Sequence, residues 1–252
     1  MRSRLKAALK RALIALGLLP SRYLWRNPFK IIEFEQLLAG FDIAPTDVIL
    51  DIGCGGGPQD VLLARKAARL IAIDVSPAEI DRAKQYAAAY PSGHAIDYRC
   101  TPLEKAGFVR HQFDKIVSFS VIEHIVNREE VLRIVSEVLK PGGLLLFSTD
   151  SMATMTDARL IAKHRSDHFV QTYFTAPELH ALLESHGFGE IRVRPIFRGG
   201  YALRVFEEAL DRGLAFGRYS KFWPLLRIRL EELFMSGKDA GLFLCASAVK
   251  LP

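Results

Sequence analysis

The stretch Val48-Ile49-Leu50-Asp51-Ile52-Gly53-Cys54-Gly55-Gly56-Gly57-Pro58 decides the fold. Its first five residues form an almost unbroken apolar run, as in a strand buried on both faces, and the run opens directly into glycines. Glycine tolerates positive φ and lets backbone approach a ligand that any side chain would hold off. A second run, Ile71-Ala72-Ile73-Asp74, ends in an acid 19 residues after Gly55. In a doubly wound sheet a carboxylate at that strand tip accepts hydrogen bonds from both hydroxyls of a ribose. Glycine turn and acid together predict a nucleoside-containing cofactor.

Outward from this turn, apolar runs alternate with amphipathic ones. Strand candidates are Val48 to Ile52, Leu70 to Ile73, Ile96 to Arg99, Lys115 to Phe119 and Leu144 to Ser148. Helix candidates are Gln59 to Arg69, Pro77 to Ala89 and Arg128 to Leu139, after a helical stretch Ile31 to Leu38 ended by Gly40. Ser76 suits an N-cap and Pro77 a first-turn position, and Pro141-Gly142-Gly143 stops the last helix. The alternation predicts an α/β fold with a doubly wound, mostly parallel sheet covered on both faces.

Half of the 252 residues are hydrophobic and a quarter are charged, which excludes disordered, collagen-like and coiled-coil classes. The length suits one principal domain. Cys54, Cys100 and Cys245 are dispersed, with neither a disulfide framework nor a paired metal-ligand spacing, so a reducing, cytoplasmic setting and no metal are expected. Residues 1–30 hold eight Lys and Arg and no acid; the other 222 carry 26 basic residues against 28 acidic, a charge of −2. The body therefore gives no electrostatic reason to expect nucleic acid.

The cofactor follows from the spacing. A dinucleotide fingerprint would place its third glycine at position 58, which is Pro58, and the stretch reads D-x-G-x-G-x-G instead. A pyrophosphate is repelled by a nearby carboxylate, so Asp51 favours a ligand with an ammonium group and no phosphate. The stretch resembles the first motif of class I S-adenosylmethionine-dependent methyltransferases. Phe113-Asp114-Lys115-Ile116-Val117 followed by Ser118-Phe119-Ser120-Val121-Ile122-Glu123-His124-Ile125 resembles that family's fourth strand. Leu139-Lys140-Pro141-Gly142-Gly143 resembles the turn before the fifth, and His168-Phe169 to His186-Gly187-Phe188 the approach to the sixth. The resemblance spans roughly residues 40 to 195, and is greatest to the small-molecule branch that includes ubiquinone-biosynthesis O-methyltransferases. It implies a Rossmann-like seven-stranded sheet whose last strand, Gly241 to Val249, is antiparallel.

Carried over by position, the resemblance implies that Asp51, Gly53, Cys54 and Gly55 line the methionine end of S-adenosylmethionine. Asp74 would hold the ribose, Val75 would pack on adenine, and Cys100-Thr101-Pro102-Leu103 would edge its ring; Ser118 to Ser120 would lie under the sulfonium. Many relatives carry an aspartate near Cys100 or Thr101, so contacts to the adenine amino group stay open. His124 is the first candidate general base and His168 the second, with Glu123 orienting; the alternative is that His124 only shapes the wall through a backbone hydrogen bond.

Two segments lie outside this frame. In Arg4 to Leu19, Leu5, Leu9, Leu13 and Leu16 share a helical stripe. The uncharged run there is about half the roughly 20 residues of a membrane span, so the segment is expected to lie on an anionic membrane, with Tyr23 and Trp25 at the interface, or to pack on the domain. This predicts an organisation into a basic amphipathic segment at 1–30 and a methyltransferase domain at 31–252. About 45 residues then separate Pro195 from Gly241 and read as a helical insertion at about 197–240, with helices near Tyr201 to Ala215 and Phe222 to Met235, expected to cap an apolar substrate. The expected activity is methyl transfer to a hydroxyl oxygen of a small, lipid-linked or saccharide-linked acceptor. The alternatives are a nicotinamide-dependent oxidoreductase and a catalytically inactive module at a membrane surface.

Overall fold

The structure, a computed structural model, describes residues 27–39, 41–213, 222–235 and 239–252. The amphipathic segment Arg4 to Leu19, Tyr23, Trp25, Gly40 and the stretch that joins the two insertion helices lie outside the described residues. Seven strands form one sheet: β1 (Val48–Ile52), β2 (Arg69–Asp74), β3 (Ile96–Cys100), β4 (Phe113–Phe119), β5 (Leu139–Asp150), β6 (Phe188–Ile196) and β7 (Phe243–Lys250). Their order is β3-β2-β1-β4-β5-β7-β6. The first five pair in parallel, and β7 runs antiparallel between β5 and β6.

The helices are α1 (Pro28–Leu37), α2 (Asp60–Leu63), α3 (Pro77–Ala87), α4 (Arg128–Val138), α5 (Ala158–Asp167), α6 (Ala176–Ser185), α7 (Gly200–Arg212) and α8 (Phe222–Phe234). Helices cover both faces. Because side chains alternate along a strand, Ile49, Leu70, Val117 and Leu146 face one core with Phe29 of α1 and Phe206 of α7. Leu50, Ile71, Ile116 and Leu145 face the other core with α4 and α6. Each strand serves two layers at once, which is why these runs read as continuously apolar.

Several elements differ from their sequence reading for local reasons. The helix after the glycine turn stops at Leu63 rather than Arg69, because the N–H groups of Ala68 and Arg69 turn to the carbonyl of Asp47 and feed β2. The helix before the first strand starts at Pro28, three residues earlier than expected, where the Asn27 side chain accepts from Phe29 N and Lys30 N. Pro141-Gly142-Gly143 follows a helix already ended at Val138 and forms an irregularity in the pairing of β4 with β5. The first insertion helix ends at Gly213, whose φ of +60° is a left-handed C-cap. Helix α6, which the sequence reading did not delimit, starts on a capping box between Thr175 and Glu178. No helix among the described residues is long and apolar enough to cross a membrane.

Candidate active site

Three glycines of the turn after β1 take positive φ: Gly53 at +73°, Gly55 at +52° and Gly57 at +71°. The alternate spacing of the motif is thus a conformational requirement, since other residues rarely adopt this region. At Gly53 a Cβ would also meet Val121 Cγ2 at 2.3 Å, whereas Gly55 has only Glu79 Oε2 nearby, at 4.0 Å. The turn is pinned by Gly53 N and Cys54 N, which both donate to the carbonyl of Ile73. Asp74, at the tip of β2, accepts from Gly55 N at 2.9 Å and from Ser76 N at 2.8 Å.

Gly53 and Asp74 open onto a cavity of about 430 Å³, within the range that holds a small ligand. Gly53, Asp74, Val75, Thr101, Pro102, Leu103, Ser120, Val121 and His124 line it. Val75 is 69% exposed, an apolar side chain offered to an incoming ring. A carboxylate, an open glycine edge and an apolar shelf fit the ribose, methionine and adenine parts of the expected cofactor.

The remaining candidates lie elsewhere. Asp51, Cys54 and Gly55 do not line the cavity: Asp51 is wholly buried behind the turn, and burial pushes the Cys54 thiol far up, which makes it a poor nucleophile. Ser118, expected under the sulfonium, instead donates its hydroxyl to the carbonyl of Ile52 at 2.8 Å and is buried. Ser120 lines the cavity, with a φ of +53°, a strained value for a serine.

From Ser120 a partly buried polar cluster runs away from the cavity. Its hydroxyl donates to Glu33 Oε1 at 2.7 Å, and Lys30 Nζ lies 2.8 Å from Ser120 Oγ and 2.9 Å from Glu33 Oε2. Beyond lie Asp150 and His164, 3.6 Å apart, and Tyr173, whose hydroxyl is 2.9 Å from His164 Nδ1. Glu123 is wholly buried and accepts from Thr149 Oγ1 at 3.1 Å, while its Oε1 finds no donor among the described residues. His124 sits between cavity and cluster, its Nε2 3.9 Å from Glu123 Oε1. His168 does not reach the cavity; it is exposed at the end of α5, its ring 4.6 Å from that of His164. No group of three or more His, Cys, Asp or Glu among the described residues has the arrangement to hold a metal ion.

Burial sets the protonation states here. It pushes the pKa of His124 down, opposed by the backbone of Phe169 and Ser120, so the imidazole is neutral near pH 7. Burial lowers His164 to about 4 and raises Asp150 to about 7. Burial and then Asp150 push Glu123 well above the carboxylate range. For Lys30 burial works against the charge, but Glu33 beside it moves its pKa upward. The site thus presents one ammonium and a neutral histidine to whatever enters past Ser120.

Sequence reading missed Lys30, Glu33 and Tyr173. Lys30 in particular counted as one charge of a basic tail, whereas α1 delivers it to the cluster. Its only sequence signal is the pair Lys30 and Glu33 three residues apart on a short helix. Among the described residues, neither insertion helix lines the cofactor cavity. They pack on α1, α5 and each other, and Phe206 of α7 walls the far side of the cluster with its ring 5.6 Å from His164.

The chain matches the family model described as a methyltransferase domain over residues 50–147. A ubiquinone biosynthesis O-methyltransferase of Cereibacter sphaeroides is 33% identical over 172 residues, which cover 62% of this chain and 69% of that protein. Among solved structures, geranyl diphosphate C-methyltransferase from Streptomyces coelicolor, in complex with magnesium, geranyl diphosphate and S-adenosylhomocysteine, aligns with a TM-score of 0.64 at 12% identity. That alignment covers 87% of this chain and 77% of the other. The cyclase SpnF aligns with a TM-score of 0.63 at 21% identity, covering 86% and 80%. A methyltransferase and a cyclase on one sheet show that such likeness bears on fold alone.

Proposed function

This chain belongs to the class I S-adenosylmethionine-dependent methyltransferases, and from that premise we propose that it methylates a hydroxyl oxygen of a small or lipid-linked acceptor. The observation that carries the reading is the position of His124, neutral and half-buried, at the junction of the cofactor cavity and the polar cluster. The names of the curated relatives support oxygen as the acceptor atom. The family and the D-x-G-x-G-x-G spacing set aside the nicotinamide-dependent alternative.

Gly53, Asp74, Val75, Thr101, Pro102, Leu103 and Ser120 would hold S-adenosylmethionine, with Asp51, Cys54, Gly55 and Ser118 supporting them from behind. Bound there, the cofactor supplies an activated methyl group with a neutral thioether as leaving group. The protein then has to place the acceptor oxygen in line, an effect worth about 7 to 11 kcal/mol when the geometry is right. His124 takes the hydroxyl proton as the oxygen attacks, Glu123 orients the imidazole, and Lys30 stabilises charge that develops on the acceptor oxygen. His168, outside the cavity with its ring 4.6 Å from that of His164, stays second to His124 as the base.

Calorimetric titration with S-adenosylhomocysteine, with NADH as control, tests the cofactor. Methyl transfer from labelled S-adenosylmethionine into quinone precursors and membrane extracts tests the acceptor. Binding of the first ligand alone and label on an ether oxygen are expected; label on nitrogen or carbon would overturn the oxygen reading.

The reading includes a membrane-surface site of action. Its support is that Trp223, Leu230, Leu233 and Phe234 stand exposed along α8, in a chain whose first thirty residues carry eight basic groups and no acid.

A further inference from the structure

Beneath the glycine turn lies a group of ionisable side chains that the methyl-transfer scheme leaves without a task. Asp51 at the end of β1 and Asp60 at the start of α2 are both wholly buried, and their carboxyls lie within hydrogen-bonding reach of each other. Gln59 Nε2 donates to Asp51 Oδ2 at 3.0 Å. Asp51 Oδ1 meets no N–H donor among the described residues, and the Tyr98 hydroxyl is the one other group that bonds to Asp60 there. Tyr98 on β3 faces Asp60, and the two crowd the turn: a Cβ on Gly57 would stand 2.6 Å from the Tyr98 hydroxyl and 3.1 Å from Asp60 Oδ2.

The other charged or titratable groups around the pair are Cys54 in the turn, Asp74 at the tip of β2, and Glu79 and Arg82 on α3 beside Gly55 and Gly56. Arg82 is taken up by Glu79 at 2.9 Å. Two carboxyls out of water with no cation assigned to them do not both ionise. We propose that Asp51 and Asp60 share one proton, carried by Asp60. Asp60 is then a positioning residue, a neutral acid that donates to an ionised Asp51 and leaves one negative charge beneath the turn where the cofactor's ammonium group would lie. Burial, then the charge of Asp51, pushes Asp60 well above the carboxylate range; Asp51 is raised chiefly by burial and drawn back by its bonds to Asp60 and Gln59.

The role toward the ammonium group rests on the cofactor reading, whereas the shared proton does not, so the experiment has two arms. In the first, wild type and Asp60→Asn are compared without ligand by infrared difference spectroscopy and by melting across pH, with Asp60→Ser as substitute should the first variant not fold. The wild-type spectrum is expected to hold a protonated-carboxyl band that the variant lacks. The unfolded chain releases the Asp60 proton above about pH 4 and the folded chain keeps it, so wild type loses stability relative to the variant as pH rises from there. No lost band, or melting profiles parallel in pH, overturns the shared proton.

In the second arm S-adenosylhomocysteine is titrated into the same proteins and into Asp51→Asn. Asp60→Asn is expected to bind within about threefold of wild type and Asp51→Asn about tenfold or more weakly, as for loss of a charged partner. Equal weakening in both would place the working charge on Asp60 and overturn the assignment. Failure of wild type itself to bind would refute the cofactor reading, while the first arm still decides the proton.

Discussion

Two side chains test the site most directly. Asp74 already orders the turn through bonds to Gly55 N and Ser76 N, and the ribose would compete for the same carboxylate. Asp74→Ala is expected to raise the dissociation constant of S-adenosylhomocysteine by at least about tenfold, the scale of a lost charged hydrogen bond. Unchanged affinity by calorimetry would remove the ribose contact. His124→Ala is expected to lower turnover by about 10² to 10⁴, the usual worth of a general base, with ligand affinity nearly unchanged. Because burial lowers the His124 pKa, the base stays available below pH 6.5, and the acid limb of kcat should fall below that value. A limb at or above it would point to another group. That both line one cavity was legible in the sequence, Asp74 as an acid at a strand tip after a glycine turn and His124 through the resemblance of the fourth-strand segment. Lys30, Glu33 and Tyr173 were not, because α1 and the loop after α5 meet β4 and β5 only in the folded molecule, and no spacing records that.

At the scale of elements, α1 joins the fold to the site. Its Phe29 is buried in edge-to-face contacts with Phe197 and Phe206, at centroid distances of 4.8 and 5.5 Å, and the next residue is Lys30. Phe29→Ala is expected to cost about 3 to 5 kcal/mol by urea denaturation, as for other buried aromatics. Because it loosens the helix that carries Lys30 and Glu33, it should reduce turnover more than S-adenosylhomocysteine binding. A matched loss in both would mean that α1 supports the whole sheet rather than the acceptor side. Helix α8 offers the opposite case, with Trp223, Leu230, Leu233 and Phe234 exposed along it. Replacing Trp223 and Phe234 together by serine is expected to reduce flotation with anionic liposomes at low salt; unchanged flotation would confine any lipid contact to the basic segment. The sequence marked both helices of the insertion but not the neighbours they pack on. It carries the amphipathic stripe of a helix, not the identity of the surface that receives it.

For the whole molecule, two groups of the cluster, His164 and Asp150, move stability with pH in opposite directions. His164 is only 4% exposed and its pKa is lowered to about 4, so between there and its ordinary value near 6.5 the unfolded chain binds the extra proton. That term strengthens the fold as pH rises through the window and reaches on the order of 3 kcal/mol above it. Asp150, raised to about 7, does the reverse: the folded chain keeps a proton that the unfolded chain releases near pH 4, so its contribution falls as pH rises toward 7. The two slopes oppose each other from about pH 4 to 6.5, and single variants should separate them. Asp150→Asn is expected to gain stability with rising pH across that window relative to wild type, and His164→Gln to lose it. Urea denaturation at several pH values reads the slopes, whatever constant offset each substitution brings. Profiles that stay parallel in all three proteins would show that neither group is held away from its ordinary protonation. The acceptor side would then be a solvated pocket, and the neutral histidines on which the methyl-transfer scheme depends would lose their physical basis.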